Sequence, residues 1–221
     1  MKMFFKQSGS GALVWFGERD PKIIAGALKA RCVCKKCNIG WMSTLESHAK
    51  KVLTPLMHDI SFSLDLRQQW LLAVWSVKTA MTFECTQNGK SFYTKEDRHG
   101  LLSSSTPPRG TTVWIGRHAH SNIVDGGSTH LNPSSAPNNP LAKSYVTTFA
   151  LSRLILQVFT IRIKPEFEHV PLTLHLKPGP WNRGLIQIWP ITASRVLWPP
   201  SLSFSDAGTS FEQLRKRFLN I

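Results

Sequence analysis

Residues Trp70–Phe83 read WLLAVWSVKTAMTF. Apolar side chains lie nearly all round a helix of this sequence, so it predicts a helix covered on every side. Asp65 and Gln68 ahead of it supply a start signal, and Asn88-Gly89 beyond Cys85 supplies a turn. A helix that is apolar all round needs other elements against it. It therefore predicts one compact unit over residues 1–221, with the rest of the chain as its cover.

Upstream, Leu45, Ala49, Val52, Leu53 and Leu56 recur at helical spacing. Ser43 and Glu46 fit a capping box, which predicts a helix beginning at Thr44. Pro55 predicts its end or a kink near Thr54. His48, Lys50, Lys51 and Thr54 fall on the opposite, basic face. Ahead of this helix stands Cys34-Lys35-Lys36-Cys37, a C-x2-C, followed by Asn38 and Gly40. Two thiolates on a tight turn suit a metal knuckle, and Asn and Gly tolerate the left-handed backbone that often follows one. Further upstream, Ala12–Phe16 reads as a strand and Lys22–Ala30 as a strand or short helix.

Downstream, Thr94–Asp97 resembles a third helix start, with Gly100 and Ser103–Ser105 keeping that helix short. Pro107-Pro108 then marks a change of character. Thr111–Ile115, Tyr145–Phe149, Val170–Leu176 and Leu185–Trp189 read as strands, and residues 121–143 as a long surface loop rich in Gly, Ser, Asn and Pro. Leu151–Phe159 fits a helix face and a strand equally well. Ile188-Trp189-Pro190 and Trp198-Pro199-Pro200 mark strand ends, because proline donates nothing to a ladder. Residues from Ser210 read as a closing helix with Phe211, Leu214 and Phe218 on its apolar face. The predicted class is α+β, with a helical part in residues 1–105 and a β-rich part in residues 106–221.

The formal net charge is +14, with 27 Lys and Arg against 13 Asp and Glu, spread evenly as +7 in residues 1–105 and +7 in residues 106–221. Such a field favours anionic partners, nucleic acid first and DNA ahead of RNA. The apolar run Trp70–Val77 is too short to span a bilayer, and Met1–Gly17 lacks the continuous apolar core of a secretory signal. A cytoplasmic protein with no membrane partner is the expectation. In a reducing compartment, clustered cysteines suggest metal or redox chemistry over disulfides.

The string CKKCNIGWMSTLE resembles the second half of a cysteine-type HNH endonuclease motif. It is similar to uncharacterised bacterial and phage HNH-like proteins that read C-x2-C-N-x-G-W-M-x-x-L-E. Pro107-Pro108 before Thr112–Gly116, Ile188-Trp189-Pro190 and Trp198-Pro199-Pro200 resemble the same set. The resemblance implies a metal-dependent nuclease in which an upstream acidic–His pair activates water. This chain has no histidine before His48. The expectation is a nucleic-acid-binding, non-catalytic relative of phage or mobile-element origin. The alternatives are a metal-dependent endonuclease and a protein-binding factor.

Four sets of candidate residues follow. Cys34 and Cys37 are expected to hold zinc, which wants four N or S ligands, with Cys32, Cys85, His48 and His58 as candidate completers. Lys35, Lys36, Lys50 and Lys51 are expected to contact phosphates. His48, His118 and His120 are the catalytic candidates of the endonuclease alternative. On a strand His118 and His120 would share one side and, with Asp125 or His130, could also take a metal; two solvated histidines are the simpler reading. Trp41 and Trp75 suit base stacking, but core packing better.

Overall fold

The computed structural model describes residues 4–7, 13–16, 33–85, 91–120, 124–131, 134–136, 139–168, 184–205 and 214. Two short strands, β1 (Phe4–Gln7) and β2 (Leu13–Phe16), pair antiparallel. A helical turn, α1 (Lys35–Cys37), runs through a π-helical turn at Asn38–Met42 into α2 (Ser43–Met57). Then come β3 (Phe62–Leu64), α3 (Leu66–Glu84) and α4 (Lys95–Ser104). The remainder is mostly strand: β4 (Thr111–His118), β5 (Val124–Leu131), β6 (Ser134–Ala136), β7 (Asn139–Pro140), β8 (Ala142–Leu151), β9 (Leu154–Ile163), β10 (Leu185–Trp189), β11 (Val196–Trp198) and β12 (Ser203–Phe204). The class is α+β.

α3 is the covered helix that its sequence predicts. Asp65 Oδ1 accepts from Gln68 N at 2.7 Å, and Gln68 Oε1 accepts from Asp65 N at 2.9 Å, so the two residues box its start. Every residue from Leu72 to Met81 is buried. α2 covers one side through Leu45, Ala49, Val52, Leu53 and Leu56. The sheet covers another through Val113, Ile115, Phe149, Leu154, Leu156 and Val158. Phe83 meets Phe149 edge to face, with ring centroids 5.4 Å apart.

The sheet runs β10-β4-β9-β8-β5, antiparallel throughout, and β12 pairs parallel with Arg117 and His118 of β4. Its other face carries a second cluster: Trp114, Val146, Ile155, Phe159, Leu185, Phe204 and Leu214. Burial on both faces gives a near-continuous apolar run instead of alternation. That is why Leu151–Phe159 reads ambiguously; it is the turn and first part of the hairpin β8–β9, with Ser152 at a positive φ of 56° in the tip. Gln157, fully buried, donates from Nε2 to Thr148 Oγ1 at 2.9 Å and to the Leu214 carbonyl at 3.0 Å, joining the sheet to the C-terminal part.

Several expectations are corrected. Ser43 caps nothing, because the chain is already helical at Met42 and Cys34 takes the capping role through its sulfur. Glu46, freed from that role, pairs with Lys78 of α3. Pro55 lies inside α2, which continues to Met57; this close to the end, few backbone bonds remain to be lost. α4 runs through Gly100 to Ser104. Residues 121–143 are no plain loop, since β5 pairs along its whole length with β8. Strands also occur in the first half, and β3 pairs with β11 from the second. Trp189-Pro190 and Trp198-Pro199 do end strands, both as cis peptides. The readings at Lys22–Ala30, Val170–Leu176 and Asn88-Gly89 fall outside the described residues, as does the closing helix apart from Leu214. Among the described residues no helix is long and apolar enough to cross a membrane.

The turn into β4 requires a glycine. Gly110 has a φ of +77°, and a Cβ there would lie 2.3 Å from the Ile161 carbonyl oxygen. That backbone is held in place, because Ile161 N donates to Gly110 O at 3.0 Å. Gly110→Ala is expected to cost about 2–3 kcal/mol. It should appear as a lower urea midpoint with an unchanged slope; an unshifted midpoint would contradict the geometry.

Candidate functional site

The Cys34–Met42 segment, the C-terminal half of α3 and helix α4 enclose a cleft of about 440 Å³. Its apolar lining comes from Val33, Trp41, Met42, Met81, Leu101 and Leu102, its cations from Lys78, Lys95 and Arg98, and its thiols from Cys34, Cys37 and Cys85, with His99 and Thr82 beside them. No carboxylate is among the described residues of that lining. This volume is in the range of small-molecule sites.

Two ion pairs brace the cleft from behind. Lys78 has a side chain only 5% exposed, and its Nζ lies 2.7 Å from Glu46 Oε1 and 5.5 Å from the centre of the Trp75 ring. Burial pulls its ammonium below the ordinary lysine value, and the charge and hydrogen bond of Glu46 oppose that pull. On the other wall the buried Glu84 carboxylate accepts from Ser91 Oγ at 2.9 Å, from the Phe92 and Tyr93 amides, and from Arg98 at 3.1 Å. Ser91–Tyr93 and the first turn of α4 are thus tied to one side chain.

Cys34 and Cys37 stand at the mouth, with Cys34 exposed and Cys37 half-buried. Their Sγ atoms are 2.8 Å apart, and Cys34 Sγ accepts the Cys37 amide at 3.1 Å. Hydrogen bonding from the Cys37 side chain and amide holds Cys34 below the usual thiol range, and the same bond to Cys34 holds Cys37 above it. Zinc would need four ligands around one point, each sulfur about 2.3 Å from the metal. The two sulfurs instead face each other. Among the described residues no group of three or more His, Cys, Asp or Glu side chains is gathered to hold a metal. Among the described residues zinc would have Cys34 and Cys37 as ligands.

The candidate completers separate accordingly. Cys85 lines the same cleft, where its Sγ–H donates to Met81 O at 3.3 Å. His48 is exposed on α2 and His58 is exposed at its C-terminal cap, and neither lines the cleft. Cys32 falls outside the described residues. The histidine candidates of the second half are not assembled either. His118 is fully buried at the end of β4, with Nδ1 3.1 Å from the His120 amide and carbonyl; His120 is exposed beyond the strand. The strand has ended between them, so strand alternation does not align the two rings, whose centres are 5.8 Å apart. His130 pairs with Tyr145, which is opposite Thr160 and hence Thr111, at the far end of the sheet from His118. The side chain of Asp125 is outside the description.

Lys35, Lys36, Lys50 and Lys51 are all exposed. Among the described residues none of them makes an ion pair. Four described acids have partners elsewhere: Glu46 with Lys78, Asp59 with Arg117, Glu84 with Arg98, and Asp97 with Arg162. Trp75 is core, 3% exposed, whereas Trp41 is half-buried in the cleft wall. Sequence reasoning overlooked Lys95, Arg98 and His99, which carry no periodic signal. Lys78 was overlooked as well, although the one charge within Trp70–Phe83 is a position that demands a partner. No family model, curated protein or solved structure matches this chain.

Proposed function

We propose that the chain is a nucleic-acid-binding relative of the HNH nucleases that holds nucleic acid without cutting it. One observation supports the reading most: Lys35, Lys36, Lys50 and Lys51 are exposed along one helical segment while Glu46, the acid of that same segment, is paired with Lys78. Their field therefore acts outward, on a chain of net charge +14. Phosphates are the natural counterpart, and such contacts give affinity without sequence information. The missing upstream histidine supports holding over cutting.

The test replaces all four lysines by glutamine and follows duplex DNA binding against salt. Each phosphate contact contributes about 0.9 to the log–log slope, so the slope should become shallower by about 3–4. All four side chains are exposed, so the fold should be unchanged by circular dichroism. Absence of binding at low salt, or an unchanged slope, removes the reading. Magnesium-dependent nicking of plasmid by the wild type would replace it with the endonuclease alternative.

A further inference from the structure

A C-x2-C has a second chemistry open to it besides metal binding. A C-x2-C whose sulfurs face each other, with no third ligand gathered among the described residues, has the arrangement of a dithiol. Both thiols are reachable from solvent. Lys35 and Lys36 lie between them, and the Cys34 sulfur accepts the Cys37 amide.

The geometry points to Cys34 and Cys37 as a redox-active pair that closes reversibly to a disulfide in exchange with a low-molecular-weight disulfide. Cys34 is the attacking thiol. Its thiolate displaces one thiolate from the small disulfide, forming a mixed disulfide at Cys34. The Cys37 thiol loses its proton to solvent and attacks the Cys34 sulfur, releasing the second thiolate. The chain loses two electrons and two protons, and the small disulfide is reduced to two thiols. The roles follow from the geometry: Cys34 is the more exposed sulfur and accepts the Cys37 amide at 3.1 Å, which favours its thiolate, and the half-buried Cys37 is the resolving thiol. Closure would fix the turn from which the lysine-bearing helix starts, whatever that helix binds.

The experiment treats the full-length reduced protein with glutathione disulfide and reads intact mass and tryptic peptides. Trypsin cuts after Lys35 and Lys36, so a Cys34–Cys37 bridge leaves two peptides joined until reduction. The expected result is a loss of two hydrogens per chain and that joined pair, retained in Cys32→Ser and Cys85→Ser. Cys37→Ser should accumulate a glutathione adduct on Cys34, and Cys34→Ser should form adduct at least about tenfold more slowly. Three outcomes overturn the proposal: one zinc per chain that shields both thiols from the reagent, equal adduct formation in the two serine variants, or a bridge that disappears in Cys85→Ser or Cys32→Ser.

Discussion

Glu84→Ala is expected to lower the unfolding free energy by about 3–4 kcal/mol, among the largest effects of any single substitution outside the apolar core. The Glu84 side chain is 4% exposed and accepts from the Ser91 hydroxyl, two backbone amides and the Arg98 guanidinium. Alanine leaves those amides unsatisfied in a buried setting, at about 1–3 kcal/mol per group before relaxation. It also leaves Arg98 without its carboxylate. Arg98 is about one-third exposed, so water recovers part of that charge and the total stays below a fully buried pair. Glu84→Gln keeps an acceptor and should lose about half as much. Urea denaturation decides it: a loss under about 1 kcal/mol for Glu84→Ala would mean that residues 91–98 hold their place without this carboxylate.

The second large effect concerns Lys78. Glu46→Ala removes the carboxylate beside a buried ammonium and should cost about 2–4 kcal/mol, moderated because the Glu46 side chain is 31% exposed. The double variant Glu46→Ala/Lys78→Met should recover most of that loss, because an apolar side chain suits the wall formed by Met42, Met81 and Leu101. The sign of the pH dependence follows from the direction of the shift. The folded-state ammonium lies below its ordinary value of 10.5, so between the two values the unfolded chain binds more protons and stability rises with pH. Glu46 is what holds the folded value up, and without it that value falls further. The gap between wild type and Glu46→Ala should therefore narrow as pH rises from about 7 to 10. A gap that stays constant over this interval would show that Glu46 does not set the protonation of Lys78.

Much of the fold was legible. α3 declared itself through its all-round apolar pattern and the Asp65–Gln68 box, and α2 through Leu45, Ala49, Val52, Leu53 and Leu56. The strands β4 and β10 followed from β-rich runs and proline punctuation. Misreadings arose where two signals competed. Ser43-x-x-Glu46 is a sound capping pattern, but a charge partner on α3 outweighed the local bond. Leu154–Phe159 is buried on both faces and so shows no period of two. The Gly-rich stretch at Asp125–Ser128 pairs as a strand because β8 supplies a full ladder, which composition alone does not reveal. The site was legible only in part. The cysteine pair and the four lysines were visible by spacing and charge; the cleft was not, since Arg98, His99 and Cys85 reach it through the packing of α4 on α3.

β3 and β11 pair Leu64 with Val196 and Phe62 with Trp198, so α3, α4 and strands β4 to β10 all lie within one closure of the chain. Joining such distant partners in an unfolded chain carries a loop-closure entropy that no local contact offsets at that moment. The hairpin β8–β9 and the helix pair α2–α3 rely on neighbours in sequence and form without it. The two-stranded clasp is then expected to engage last, after the helices and sheet have brought its ends together. Substitutions there should accordingly speed unfolding more than they slow folding.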